Sequence, residues 1–242
     1  MAQGFAQPEQ AQQCEEGQAA GQAAAIIAGD ANAYAELCSD DIQLLIPSKE
    51  PVSGKTAFLQ VEQALDNSQG ELIITDGNAS ISAGILNNDD GIISQLAGQS
   101  LQLTSGVITN NGGTLHSAQQ LNINAAQLDN SGLVDAATLI VVTDSLTNSG
   151  TIQAENARLS STQLVNEGLL LATGTVGESL QLDVPNGIVN RGHIQSHGQN
   201  LILRDALDND TGTLVHAGLD RVSPLAVERK YTSSTMRSIA IG

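Results

Sequence analysis

Short aliphatic segments alternate with polar corners at a nearly regular spacing along most of this chain. The corner motif is an aliphatic residue, a variable residue, Asn, one or two polar residues and Gly, and it occurs eight times between residues 65 and 212. Its asparagines, 18 to 24 residues apart, are Asn67, Asn88, Asn110, Asn130, Asn148, Asn166, Asn190 and Asn209. Self-similarity at a period near twenty is the signature of a solenoid.

The segments between corners have the pattern of strands. A short apolar segment follows each Gly, and a second segment begins some residues later. The second segments are Ala-Ser-Ile at 79–81, Leu-Gln-Leu at 101–103, Leu-Asn-Ile at 121–123, Leu-Ile-Val at 139–141, Ala-Arg-Leu at 157–159, Leu-Gln-Leu at 180–182 and Leu-Ile-Leu at 201–203. Period-two alternation indicates strands. Stacked as coils of a parallel β-helix, they bury one continuous aliphatic core. Eight coils would span about 40 Å.

The corner residues have two expected roles. Asn tolerates left-handed backbone, and its amide can hydrogen-bond to the amide of the next coil in a ladder. The Gly that follows is expected to supply a position with positive φ.

Three regions follow from these patterns. Residues 1–64 are a helical cap or partial α+β segment, with an Ala-rich helical stretch, a strand-like piece at 41–47, a turn, and a short helix over 55–65. Residues 65–218 are the β-helix. Residues 219–242 lack the corner motif, contain four of the nine basic residues, and are a loose cap or a disordered tail.

Composition favours a narrow aliphatic core. Aromatic residues are 2% of the chain, there is no Trp, and charged residues are 14%. Abundant Asn and Gln are also typical of disordered or aggregation-prone tracts, but the periodic aliphatic residues favour a folded solenoid.

The net charge of −17 argues against a nucleic-acid partner or an anionic membrane surface. No Lys or Arg occurs between Lys55 and Arg158.

Cys14 and Cys38 make neither a disulfide framework nor a zinc site, and they either pair or remain thiols. No apolar run reaches the length of a membrane span, and the N-terminus has no signal-peptide pattern.

Few residues suggest chemistry. His197 and His216 both lie seven residues after their corner Asn, so they could stack on adjacent coils; with no third ligand at that offset, His116, His193 and this pair are predicted to be surface residues. Asp66, Asp129 and Asp208 precede corner asparagines and could attract Ca²⁺, but solvated aspartates are the better prediction. We assign no catalytic, cofactor-binding or metal-binding residue.

The repeats at 65–218, of the type Leu-Asp-Asn-Ser-Gly followed by Leu-x-Leu, resemble those of filamentous haemagglutinins and of exoproteins of contact-dependent growth inhibition. The resemblance implies a right-handed β-helix, two-partner secretion through an outer-membrane partner, and a secreted or surface fibre. Such a fibre binds a receptor or glycan on a host or neighbouring cell, or presents a toxin. Open strands at the terminal coils also predict end-to-end association.

A second resemblance covers residues 17–60. Gly29-Asp30, Tyr34, Leu37, Ser39-Asp40-Asp41, Leu45-Ile46-Pro47 and Pro51-Val52-Ser53-Gly54-Lys55 resemble the start of a SnoaL-like domain. That resemblance implies a small-molecule binder or an enzyme, with Asp40 or Asp41 as a general base. A carbohydrate-active β-helix enzyme is the third hypothesis. The sequence favours a non-enzymatic structural and adhesive stalk.

Overall fold

The protein is a right-handed parallel β-helix of about eight coils, as expected from the repeats. The computed structural model describes residues 44–45, 56–199, 201–203, 206–217 and 239–241, and these ranges contain strands but no helix. The predicted helical cap and the SnoaL-like segment lie outside the described residues, apart from the short strand at 44–45 and the residues from 56 onward, which form a strand.

Seventeen strands make up this structure, and several of the longer ones continue through a corner of the coil. They are β1 (Leu44–Leu45), β2 (Thr56–Asp66), β3 (Glu71–Ile74), β4 (Asn78–Asn87), β5 (Ile92–Gln95), β6 (Ser100–Asn110), β7 (Thr114–Asn130), β8 (Leu133–Asn148), β9 (Thr151–Asn166), β10 (Leu169–Ala172), β11 (Leu180–Asp183), β12 (Ile188–Asn190), β13 (His193–Ser196), β14 (Leu201–Leu203), β15 (Leu207–Asp208), β16 (Thr213–His216) and β17 (Ile239–Ile241).

Each coil contributes one segment to each of three faces. Face A is the stack of four-residue segments that follow the corner glycines, from β3 through β5 and the starts of β7, β8 and β9 to β10, β13 and β16. Face B is the stack of second segments, such as 100–105 over 120–125. Face C consists of the segments that end at the corner asparagines, such as 127–130 over 145–148.

The core is a set of aliphatic columns inside this three-sided tube. The described strands bury alternate residues; in β6, for example, Leu101, Leu103 and Ile108 are 0% exposed. Register keeps like residues in one column, so Leu101 stacks on Leu121 and Leu121 on Leu139. The buried core contains Leu, Ile, Val and Ala, and no aromatic residue from the described part of the chain. The prediction of a narrow core filled by aliphatic side chains is therefore confirmed.

The predicted helix over 55–65 is wrong. Residues 56–66 form strand β2, which pairs in parallel with β4 and makes the first coil begin at Thr56 rather than at residue 65. Leu59, Val61 and Leu65 point into the core. The four-residue spacing of Val61 and Leu65 matches a helix face, but it equally fits two strand segments joined at a bulge, and the register shifts between Val61 and Ala64.

Both ends of face A carry additional pairing. Strand β1 pairs antiparallel with β3 at the N-terminal end. Strand β17 pairs in parallel with β16, which places Ile239 beside Leu214 and extends the stack by one segment. The region predicted as a tail, 219–242, therefore contains at least one strand of the sheet; its other residues lie outside the described ranges.

Candidate functional site

An unbroken ladder of asparagine side chains runs along the corner between faces C and A. Each Nδ2 donates to the Oδ1 of the asparagine one coil further on. The seven bonds measure 2.7 Å (Asn67 to Asn88), 2.7 Å (Asn88 to Asn110), 2.7 Å (Asn110 to Asn130), 2.8 Å (Asn130 to Asn148), 2.8 Å (Asn148 to Asn166), 2.8 Å (Asn166 to Asn190) and 2.6 Å (Asn190 to Asn209). The amide ladder expected from the repeats is thus present across all eight coils.

These amides also satisfy the backbone of the turn. In a typical rung, Asn148 Nδ2 donates to the carbonyl oxygen of Leu169, 3.1 Å away on the next coil, and more weakly to that of Gly150. Asn148 is 0% exposed. A buried amide needs partners for both its donor and its acceptor, and the ladder supplies them. The six inner asparagines therefore act as internal connectors and leave no group for an external ligand.

The left-handed conformations predicted for the corner Asn and for the Gly that closes the motif do not occur there, although Gly112, the first glycine of the Asn110 corner, has positive φ. None of the eight asparagines has positive φ, and neither do the glycines that end the motif. These glycines are needed because the coils approach closely. A Cβ on Gly150 would overlap the carbonyl oxygen of Gly132 in the coil below, and the same holds for Gly168 against Gly150. The repeat therefore selects Gly for space rather than for backbone conformation.

Positive φ occurs one residue earlier, and in corners of one length. Gln69 (58°), Asp90 (54°) and Gly112 (66°) each precede the corner glycine in corners where two residues separate it from Asn. The corner from Asn209 to Gly212 has the same length but no residue with positive φ. The shorter corners, such as Asn148-Ser149-Gly150, have no residue with positive φ. The additional residue is therefore accommodated by a left-handed conformation in three of the four longer corners.

Aspartates on the outer side of the corner are bound within the protein. Asp66 Oδ1 accepts bonds from the Ser68 backbone N–H and from Asn87 Nδ2, and Gln127 donates to Asp129. In the described ranges no group of three or more His, Cys, Asp or Glu side chains is arranged to hold a metal ion. Asp208 Oδ1 likewise accepts a bond from the Asp210 backbone N–H.

Hydrogen bonding lowers the pKa of two of these carboxyls. The side chain and backbone N–H of Ser68 hold the pKa of Asp66 below its usual value. At Asp89, desolvation raises the pKa, but the backbone N–H and side-chain amide of Asn111, at 2.9 and 3.1 Å, outweigh it and leave the pKa lowered. Both groups are therefore more readily ionised in the folded chain than in an unfolded one.

His197 and His216 do not stack, and the surface position predicted for His216 is wrong. Register pairs His216 with Ser196, so His197 lies one position further along its strand. His216 is buried at 2% exposure inside the tube, whereas His197 is on the outside, within reach of Gln195. Both histidines lie seven residues after their corner Asn, but the Asn190 corner is one residue shorter than the Asn209 corner. The two histidines are therefore one residue out of register, and a shift of one residue along a strand turns a side chain to the opposite face.

A polar cluster on face A was missed by sequence reasoning. His116 Nδ1 lies 2.8 Å from Asp135 Oδ2, and Gln153 Nε2 donates to Asp135 Oδ1 at 2.9 Å. The three residues occupy one column on consecutive coils, since His116 pairs in register with Asp135 and Asp135 with Gln153. Each is the third residue after its corner glycine, so counting from Gly rather than from Asn would have brought them together.

The described part of the chain has no helix long and apolar enough to cross a membrane. No family model matches this sequence, and comparison with curated proteins and with solved structures also finds no match.

Proposed function

We propose that this chain is a structural and adhesive segment of a filamentous haemagglutinin-like exoprotein, secreted or held at a bacterial surface. The β-helix supplies length and rigidity, and its outer faces contact a receptor or glycan on another cell. The observation that carries the proposal is the unbroken ladder from Asn67 to Asn209, because it ties every coil to the next through buried hydrogen bonds.

Face B supports an adhesive role. Its outward positions in the third and fourth coils are neutral polar residues, with Gln102 and Asn124 exposed and Thr104 and Asn122 half-buried. Their side chains project from a regular parallel sheet, so donors and acceptors repeat at the spacing between strands, about 4.8 Å. A repetitive array of this kind can bind a repetitive ligand such as a glycan through many weak contacts.

Cell binding by the intact chain tests the proposal. Fluorescently labelled protein is titrated onto epithelial cells and onto bacterial cells, with and without prior glycosidase or protease treatment. We expect saturable binding that Gln102→Arg with Asn124→Arg weakens at least tenfold. The control variant, Gln127→Arg with Gln163→Arg, adds the same charge on face C at two exposed positions and should bind normally. Lack of saturable binding to every cell type, or equal loss in both variants, would contradict adhesion through face B.

The other hypotheses stay predictions. Asp40 and Asp41 of the SnoaL-like segment lie outside the described residues, and glycan cleavage by a carbohydrate-active β-helix enzyme also stays a prediction. End-to-end association remains a prediction for faces B and C. On face A, β1 and β17 already pair with the first and last strands of the repeat stack.

A further inference from the structure

A cleft of 320 Å³ opens at the corner between faces A and B, beside the His116–Asp135 pair. It is lined by His116, Asp135, Gln153, Glu155 and Thr173, by the alanines that adjoin them, and by Ser117, whose hydroxyl donates to Gln95 Oε1. A volume in this range suits a small ligand or a single side chain.

Unequal corner lengths produce the cleft. Ala137 and Glu155 are each the only residue between the face A and face B segments of their coils. The next coil makes the same connection through seven residues, 173–179, between β10 and β11. Two short corners beneath a long one leave a recess, which Thr173 borders at the start of the long connection.

The side chains around the cleft are mainly hydrogen-bond acceptors. A carboxylate cannot donate, so His116 Nδ1 carries the hydrogen of the 2.8 Å bond to Asp135 Oδ2. In the neutral imidazole, Nε2 is then an acceptor. Glu155 is exposed at the rim and adds a second carboxylate. Gln153 already directs its Nε2 to Asp135. No Lys or Arg is among the lining residues of this cleft in the described chain.

We propose that this cleft binds an alkylammonium group, with Asp135 and Glu155 as counter-ions, His116 Nε2 as a further acceptor, and Ala118 and Ala137 against the methylene chain. An ammonium has three donors and no acceptor, which complements this lining. Asp135 is pre-oriented because each of its oxygens already accepts one protein hydrogen bond and keeps a second lone pair. The site is independent of face B and of cell adhesion.

Titration calorimetry on the intact chain at low ionic strength tests the site. The probes are 1,4-diaminobutane, N-acetyl-lysine amide and the uncharged 1,4-butanediol. We expect saturable one-to-one binding of at least one ammonium probe and none of the diol. Preference for the diamine identifies a free polyamine as the ligand, and preference for the lysine derivative identifies a protein side chain; both results support the site.

Three variants separate this site from general attraction to an acidic protein. Asp135→Asn and Glu155→Gln should each weaken binding at least tenfold. Asp144→Asn removes an exposed carboxylate that does not line the cleft and should leave affinity unchanged. Because Glu155 is exposed, its variant is expected to fold even where Asp135→Asn disturbs the column, and circular dichroism verifies this. Absence of binding by both ammonium probes, or equal loss in all three variants, would overturn the proposal.

Discussion

At the scale of single residues, one polar side chain per coil holds the repeat together. Buried amides are costly unless their donors and acceptors are paired. Each inner asparagine meets that requirement by bonding to its equivalents one coil before and one coil after, as Asn148 does with Asn130 and Asn166. The corner therefore converts an unfavourable burial into a specific link between coils.

Removing one rung of the ladder should destabilise the fold. In Asn148→Ala, Asn166 Oδ1 and the Leu169 carbonyl lose their donor, and Asn130 Nδ2 loses its acceptor. We expect a loss of about 2–4 kcal/mol in the free energy of unfolding, because buried groups left unsatisfied cost about 1–3 kcal/mol each. Urea unfolding followed by circular dichroism measures it. The adjacent exposed Ser149→Ala should change stability by less than about 0.5 kcal/mol; equal effects would contradict a structural role for the ladder.

Two glycines should respond differently to the same substitution. Gly150→Ala places a Cβ on the carbonyl oxygen of Gly132, so the coils must separate, and we expect a loss above about 2 kcal/mol. Gly177 has φ of 65° but no atom within 4 Å of an added Cβ. Gly177→Ala should therefore cost only the left-handed conformation, about 1 kcal/mol. Thermal melting of the two variants checks the order, and a larger loss at Gly177 would refute the close-approach explanation.

At the scale of elements, corner length decides which residues share a column. Three of the four corners with two residues between Asn and Gly include a left-handed residue, as at Asp90, and the shorter corners include none. On the other side of face A, two one-residue connections are followed by the seven-residue connection 173–179, and the cleft beside His116 forms there. The strands keep a constant register, so differences in loop length create the local features of an otherwise uniform rod.

The carboxylate of Asp89, on the outer side of the corner, should make the stability of the fold depend on pH. The lowered pKa of Asp89 means that its ionised form stabilises the fold above the unfolded value of about 3.9, and that this contribution is lost as pH falls through the folded value. Asp89→Asn should therefore be less stable than the natural chain at pH 7, and the difference should vanish near pH 2. Thermal melts across this range test it, with Asp144→Asn as the charge control. A difference independent of pH would contradict the assignment.

Much of this architecture could be predicted because two features of the sequence recur in every coil. The asparagines and the alternating aliphatic residues each recur in every coil, so strands, columns and ladder followed from spacing alone. The first coil was missed because Val61 and Leu65 fit both a helix and a bulged strand. The cleft was missed because His116 and Asp135 align only when corner lengths are known, and the close approach at Gly150 requires three-dimensional coordinates.

At the scale of the whole molecule, the β-helix is a stack in which each coil contacts its neighbours. Solenoids of this kind gain stability from interfaces between successive repeats. Two sets of contacts join successive coils from Asn67 to Asn209. They are the packing within the aliphatic columns and the hydrogen bonds of the asparagine ladder. A stalk needs this continuity, since one weak interface would act as a hinge.

Hydrogen–deuterium exchange on the intact chain, read by mass spectrometry, tests this account most directly. We predict slow exchange in three segments of every coil from residue 56 to residue 216, including 56–66, with faster exchange at exposed corners and in the 173–179 connection. The strand segments of all coils should show similar protection from exchange, as expected for one continuous stack. Protection confined to a few coils, or rapid exchange throughout the repeats, would contradict a continuous β-helix and with it the stalk.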